Sequence, residues 1–331
     1  ETFQSHILHV GYLVTPDLLK VNSVFPLIKS HTDVVLLVTK LHRLANEFCD
    51  IVGGRTTHPI TARVGKFSKM PDKKRLVEFK KRLEEAVPDL KTLAEVVKSL
   101  AGELPAFERE TEYLALHSKD EYAFYDGACL TNDIKEVVPV VDYKGVVNEF
   151  VVPQSTAKYG KYNRESFMVG ALARYNNNYE QLTDLSKSVG EMLGLNGVNY
   201  NPYMNNIAQV VEAVFAVEKT IEVVGQLLDM DLKVEDDNFE IKAGHGAGSV
   251  EVPRGILFHE YEYDENGICT KANCVIPTNL NHMNIQLDFE KMVPEMKHLG
   301  EKELQFRMEM LVRAYDPCIS CSTHYLNVEF V

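Results

Sequence analysis

Near its carboxyl end the chain reads Asp316-Pro317-Cys318-Ile319-Ser320-Cys321-Ser322-Thr323-His324. Cys318 and Cys321, spaced Cys-x-x-Cys on a turn, can both contact one metal centre, and His324 follows closely enough to join or buttress it. By spacing alone the pair is open to redox chemistry, zinc, an iron–sulfur cluster or no chemistry at all. The flanking Asp316-Pro317 and His324 make it more particular.

Other chemistry-bearing patterns fail on inspection. Gly244-His245-Gly246-Ala247-Gly248-Ser249 has the wrong glycine spacing for a dinucleotide loop and leads into an extended segment rather than a helix. Gly65-Lys66 is followed by Phe67, so there is no Walker loop, and His259-Glu260 lacks the second histidine of a zincin. A zinc site drawing on Cys269 and Cys274 would need a bulged strand, because positions five apart on a strand face opposite ways. The sequence reads both as small buried side chains in a sheet, and Cys49 and Cys129 as ordinary core or helix-face thiols.

The elements that must position the pair follow from hydrophobic periodicity. Apolar residues from Val34 to Val52 repeat at helical spacing after a capping Thr32 or Asp33, and Gly53-Gly54 ends that helix. Two charged helices are expected over 72–87 and 89–101, separated by Pro88, and further helices over 180–194, 205–230 and 301–314. Val137–Val141 and Val146–Val151 read as a strand pair around Asp142-Tyr143-Lys144-Gly145. Ile256–Tyr263 and Ile268–Ile276 read as a hairpin about Asn266-Gly267. The expected architecture is α+β and predominantly helical, a central long-helix bundle with peripheral β-hairpins, forming a single domain over 1–331.

Composition excludes several classes. The 331 residues carry 35 Lys+Arg against 48 Asp+Glu, a formal charge of −13, and show no basic stripe, which argues against nucleic acid. No apolar run approaches the roughly 20 residues that span a bilayer, and the start, which is not Met, shows no signal-peptide pattern. Six scattered cysteines point to a reducing compartment and cannot build a chain of iron–sulfur clusters.

The terminal segment resembles the Asp-Pro-Cys-x-x-Cys-x-x-His signature of nickel–iron hydrogenase large subunits. Further stretches resemble the family in order along the chain: Ser5-His6-Ile7-Leu8-His9 leading to Pro16-Asp17, Gly54-Arg55-Thr56-Thr57-His58-Pro59, Gly170-Ala171-Leu172-Ala173-Arg174, Val252-Pro253-Arg254-Gly255, and Pro277-Thr278 with Asn281. The family's first nickel-binding motif, Arg-x-Cys-Gly-x-Cys, is not among these residues. The chain is therefore read as lacking that amino-terminal portion, and as incomplete alone.

The resemblance implies reversible heterolytic cleavage of H2 at a nickel–iron centre whose iron carries cyanide and carbon monoxide. It implies Cys318 as a terminal nickel ligand and proton acceptor, and Cys321 as a bridging thiolate. Arg254 would lie over the metals, directed at cyanide and at Asp17 or Asp316, while Pro253, Pro277 and Thr278 line the iron-ligand pocket. His324 would lie near the pocket, beside a magnesium or similar ion. His58 is expected to be a structural hydrogen-bonder, and His6 and His9 satisfied core or boundary histidines. Implied partners are an iron–sulfur small subunit and further subunits bearing the electron acceptor, in the soluble cytoplasmic branch of the family, with no membrane insertion. The competing reading is a hydrogenase-like structural or electron-transfer subunit without a metal.

Overall fold

The computed structural model describes residues 1–234 and 239–318. In chain order it begins with α1 (Thr2–Leu8), a π-helical stretch (His9–Val14), α2 (Thr15–Leu18), α3 (Leu27–Ser30), α4 (Thr32–Gly53), the short strands β1 (Ala62–Arg63) and β2 (Lys66–Phe67), and α5 (Lys73–Leu100). Next come β3 (Glu112–His117), β4 (Ala128–Thr131), β5 (Asn148–Phe150), β6 (Tyr159–Lys161), β7 (Phe167–Met168), α6 (Ala171–Asn178), α7 (Asp184–Met192) and α8 (Asn205–Asp229). The last are β8 (Gly244–Val252), β9 (Gly255–Tyr263), β10 (Cys269–Val275), α9 (Pro277–Met296) and α10 (Glu301–Ala314). The α+β, mainly helical class expected from sequence is the one observed. No helix among the described residues is long and apolar enough to cross a membrane.

Two compact units form. The first takes residues 1–104, 183–196 and 206–241. Here α4 buries Val38, Leu41, Leu44 and Ala45 on one face and stops at Gly54, whose φ of 76° is left-handed. Neither Thr32 nor Asp33 caps it; the Thr32 hydroxyl donates instead to the Ile28 carbonyl at 2.7 Å. The two helices expected around Pro88 are one continuous helix, α5, capped by the Asp72 side chain. Its buried row Leu76, Phe79, Leu83, Ala86, Leu90, Leu93 runs straight past the proline, so burial of that face outweighs the missing hydrogen bond. His6 and His9, one turn apart, meet Glu212 and Gln209 on α8 at 2.7 and 2.6 Å, all of them buried. They are core histidines, as expected, each with one ring nitrogen hydrogen-bonded. His58 is not the structural hydrogen-bonder expected: it is exposed, has a φ of 58°, and makes no hydrogen bond among the described residues.

The second unit takes 105–182, 197–205 and the residues from 242 on. Strand β3 lies between β4, antiparallel, and β7, parallel, and is buried over Glu112–Leu116. Beside it in the core stand Phe167, Ile256, Phe258, Val275 and Leu280, with the Tyr143 ring stacked on Phe258 at 4.8 Å. The expected β9–β10 hairpin forms, and the glycine-rich run is itself part of β8, one of the two edge strands of the same three-stranded sheet.

The strand pair expected around residues 142–145 does not form. Val140–Gly145 is a 3-10 helix, and β5 pairs with β6 instead. That turn tucks Tyr143 into the core, and the gain from burying its ring exceeds what a two-stranded ribbon would give. Cys269 and Cys274 are exposed, not buried. A bulge between Cys269 and Lys271 shifts the register so that both cysteines lie on the face of Tyr263 and His259. Among the described residues they nonetheless form no cluster of three or more metal-ligating side chains.

Candidate metal site

Helix α10 ends at Ala314, and its carbonyl, which has no partner inside the helix, accepts from Asn205 Nδ2 at 2.7 Å. The chain then turns through Asp316, whose φ of 50° costs an L-residue about 1–2 kcal/mol. Arg254 holds that conformation. Its Nε donates to the Asp316 carbonyl at 2.7 Å and to Oδ1 at 3.1 Å, and its Nη2 lies 3.1 Å from the same Oδ1. Asp316 is buried, Arg254 half-buried. Charged donors forked onto one carboxylate in a partly dry setting fix orientation as well as energy.

Arg254 itself sits on the tight turn between β8 and β9, where Val252 pairs with Gly255. Arg174, wholly buried on α6, ties that turn down: Nη1 donates to the Val252 carbonyl at 3.0 Å and Nη2 to the Pro253 carbonyl at 3.0 Å. Its charge is met by Glu251 at 2.9 Å, whose other oxygen accepts the Leu116 N–H at 2.8 Å. A buried guanidinium is tolerable only with such a set of partners.

Opposite the turn, α9 begins at Pro277, the first helical position, where a missing N–H costs nothing. Thr278 therefore lies in the first turn of a helix that the sequence reading did not foresee. Its Oγ1 accepts the Cys318 N–H at 3.1 Å. Further along α9, the Asn281 amide exchanges two hydrogen bonds with the Val169 backbone, at 2.9 and 3.2 Å. Asn205 Oδ1 accepts the Leu172 N–H at 2.9 Å, one of the open donors at the start of α6.

The structure thus brings together Cys318, Arg254, Asp316 and Thr278, with Pro253 and Pro277 their chain neighbours. Of the two carboxylates expected for Arg254, it pairs the guanidinium with Asp316. Asp17 belongs to the first unit, buried in the first turn of α2. Cys321 and His324 lie outside the described residues. Sequence reasoning missed Arg174, Asn281 and Asn205 as the groups that hold the site's turns. The first two stood in recognised motifs without a role, and Asn205 had no signal of its own.

The fold is that of a nickel–iron hydrogenase large subunit. A crystal structure of an NAD+-reducing [NiFe]-hydrogenase in the H2-reduced state superimposes with a TM-score of 0.85 at 21% identity, covering 98% of this chain and 77% of that one. The sulfhydrogenase 1 subunit alpha of Pyrococcus furiosus is 33% identical over 332 residues, spanning 99% of this chain and 76% of its own. Sulfhydrogenase 2 subunit alpha of the same organism is 27% identical over 334 residues, with 99% and 76% covered. Residues 142–324 match the nickel-dependent hydrogenase family. The chain belongs to that family, and with it to the oxidoreductases acting on H2.

Family membership implies a nickel–iron centre, and the groups present fit one. Thr278 is buried, and its hydroxyl proton has no acceptor among the described residues. Arg254 spends Nε and Nη2 on Asp316 and has no partner for Nη1 among them. An unspent hydroxyl donor and an unspent cationic N–H on the two residues that hold the Cys318 segment suit a metal centre bound by cysteine sulfur.

Proposed function

We propose that this chain is the catalytic subunit of the hydrogenase, with Cys318 and Cys321 as thiolate ligands of the nickel–iron centre. The observation that carries the reading is the Cys318 N–H donated to Thr278 Oγ1 beside the Arg254–Asp316 pair, which joins three separate sequence motifs at one place. When bound, the centre would supply the Lewis acidity that polarises H–H for heterolytic cleavage. The chain's own part is to hold protons and orient ligands. Cys318 Sγ, as a thiolate, would be the base for the proton that heterolytic cleavage releases. Arg254 Nη1 and the Thr278 hydroxyl would donate to the cyanide ligands of such a centre, and Pro253 and Pro277 would present apolar wall to its carbon monoxide. Asp316, already paired with Arg254, fixes the guanidinium while its positive charge steadies the anionic site.

On this reading Asp17 would supply a second carboxylate, and His324 would help hold a magnesium or similar ion. Electrons leave through an iron–sulfur small subunit toward an acceptor bound on further subunits, and the enzyme works in the cytoplasm. The naming of the similar proteins as alpha subunits supports a multi-subunit assembly.

The test is metal analysis of the enzyme purified from its native host, with Cys318→Ser alongside. Nickel is expected, with iron in excess of it because the iron–sulfur partner carries its own, and both the nickel and H2-dependent dye reduction are expected to be lost in the variant. Zinc alone, or no metal in an active-site-intact preparation, would overturn the reading.

A further inference from the structure

Tyr315, immediately before the Asp316 turn, is buried, and its hydroxyl belongs to a closed ring of hydrogen bonds within the second unit. Arg109 Nε donates to Asp288 Oδ1 at 2.5 Å, and Arg109 Nη2 to Asn284 Oδ1 at 2.6 Å. Asn284 Nδ2 donates to the Tyr315 oxygen at 2.7 Å, and Tyr315 donates to Asp288 Oδ2 at 2.5 Å. Every direction is forced. A guanidinium can only donate, so Asn284 must turn its oxygen to Arg109 and its amide to Tyr315. Tyr315 has then only its own proton to give, and Asp288 is the acceptor. Thr111 and Ser166 hydroxyls, each 2.6 Å from Asn284 Oδ1, pin the same orientation.

Asn284 and Asp288 are one turn apart on α9, the helix whose first turn holds the Cys318 N–H through Thr278. The segment from Tyr315 to Cys318 is therefore fastened to one rigid helix at both ends, about two turns apart. Burial of the two acceptors makes each link costly to leave open: Asn284 and Asp288 are each 1% exposed.

We propose that the Arg109–Asp288–Tyr315–Asn284 ring is a positioning device for the Asp316–Cys318 turn, setting the height of Cys318 against the first turn of α9. These are positioning residues; none touches the reacting atoms. The consequence for nickel rests on the catalytic reading above, whereas the consequence for the turn does not.

The experiment uses the full chain and the holoenzyme with Tyr315→Phe, Asn284→Asp and, as an off-ring core control, Leu116→Ala. Asn284→Asp is isosteric but can no longer donate to Tyr315, so it opens the ring without changing volume. Hydrogen exchange at the Cys318 amide is expected to quicken about tenfold in both ring variants and to stay within twofold of wild type in Leu116→Ala. In the holoenzyme the nickel electron paramagnetic resonance signal should shift in the two ring variants and not in the control. Unchanged Cys318 exchange in Asn284→Asp and Tyr315→Phe, or an equal response in Leu116→Ala, overturns the ring's role. A quickened amide in a protein that carries no nickel supports the ring and sinks only the metal reading.

Discussion

Gly170 and Gly255 meet backbone to backbone. A Cβ built on Gly255 would stand 3.0 Å from the Gly170 nitrogen and 2.5 Å from Val169 Cγ2, and one on Gly170 would stand 3.4 Å from the Arg254 carbonyl. Both residues have positive φ, 133° and 119°, where a side chain is strained even in open space. The crossing lets the start of α6 lie against the turn that presents Arg254.

Gly255→Ala should therefore misplace Arg254. We expect a loss of about 2 kcal/mol or more in chemical denaturation, from the forbidden φ and the clash with the Val169 side chain together. Gly170→Ala should cost less, because its contacts are nearer ordinary van der Waals distance. Equal losses in the two variants would show that the crossing is looser than described.

Arg174 and Glu251 form an ion pair whose side chains are both 0% exposed. Arg174→Met removes one charge and leaves the other buried, which should cost about 3–5 kcal/mol. Adding Glu251→Gln should recover part of that loss, since the amide carries no stranded charge and its oxygen can still accept the Leu116 N–H. A double-mutant cycle in urea measures the coupling.

Glu260 accepts from Lys144 at 2.6 Å, His245 at 2.8 Å and the Tyr143 hydroxyl at 2.9 Å. The Lys144 bond first, then those from His245 and Tyr143, hold its carboxyl down to about 2. An unfolded glutamate titrates near about 4.3. The folded value is the lower one, so the stabilisation is complete above pH of about 4.3 and is lost as pH falls toward 2. Glu260→Gln should lower the urea midpoint at pH 7, and the gap to wild type should close on acidification through that window. A gap that stays constant to low pH would refute the assignment.

Pro88 lies inside α5 with no N–H to give. Pro88→Ala restores a donor toward the Glu84 carbonyl and should stabilise the chain by about 1–2 kcal/mol, the helical gain less the entropy proline withholds from the unfolded state. A rise in Tm with unchanged metal content is the expected result. Destabilisation would mean that the helix gains nothing from the restored donor.

Much of this molecule is legible in one dimension. α4, α8, α10 and the β9–β10 hairpin follow from periodicity, and from glycine at 54 and at 267, because each buries one face or closes one turn by local rules. The errors share a cause. At Pro88 and at 140–145 the local preference was overruled by burial of Phe79, Leu83 and Leu90 in one case and of Tyr143 in the other. α9 escaped notice because its face toward the site is polar: Thr278, Asn281, Asn284 and Asp288 are all buried, so apolar spacing could not reveal it.

By itself the sequence determined the family, the cysteine pair near the carboxyl end, and the residue types gathered around it, since motif spacing is written along the chain. Only the tertiary structure decided that Arg254 takes Asp316, that Thr278 takes the Cys318 amide, and that Arg174, Asn281 and the Asn284–Asp288 face hold those partners still. Each of these depends on segments at least 27 residues apart meeting within about 3 Å, and hydrogen bonds that short are fixed by packing, which no local preference specifies.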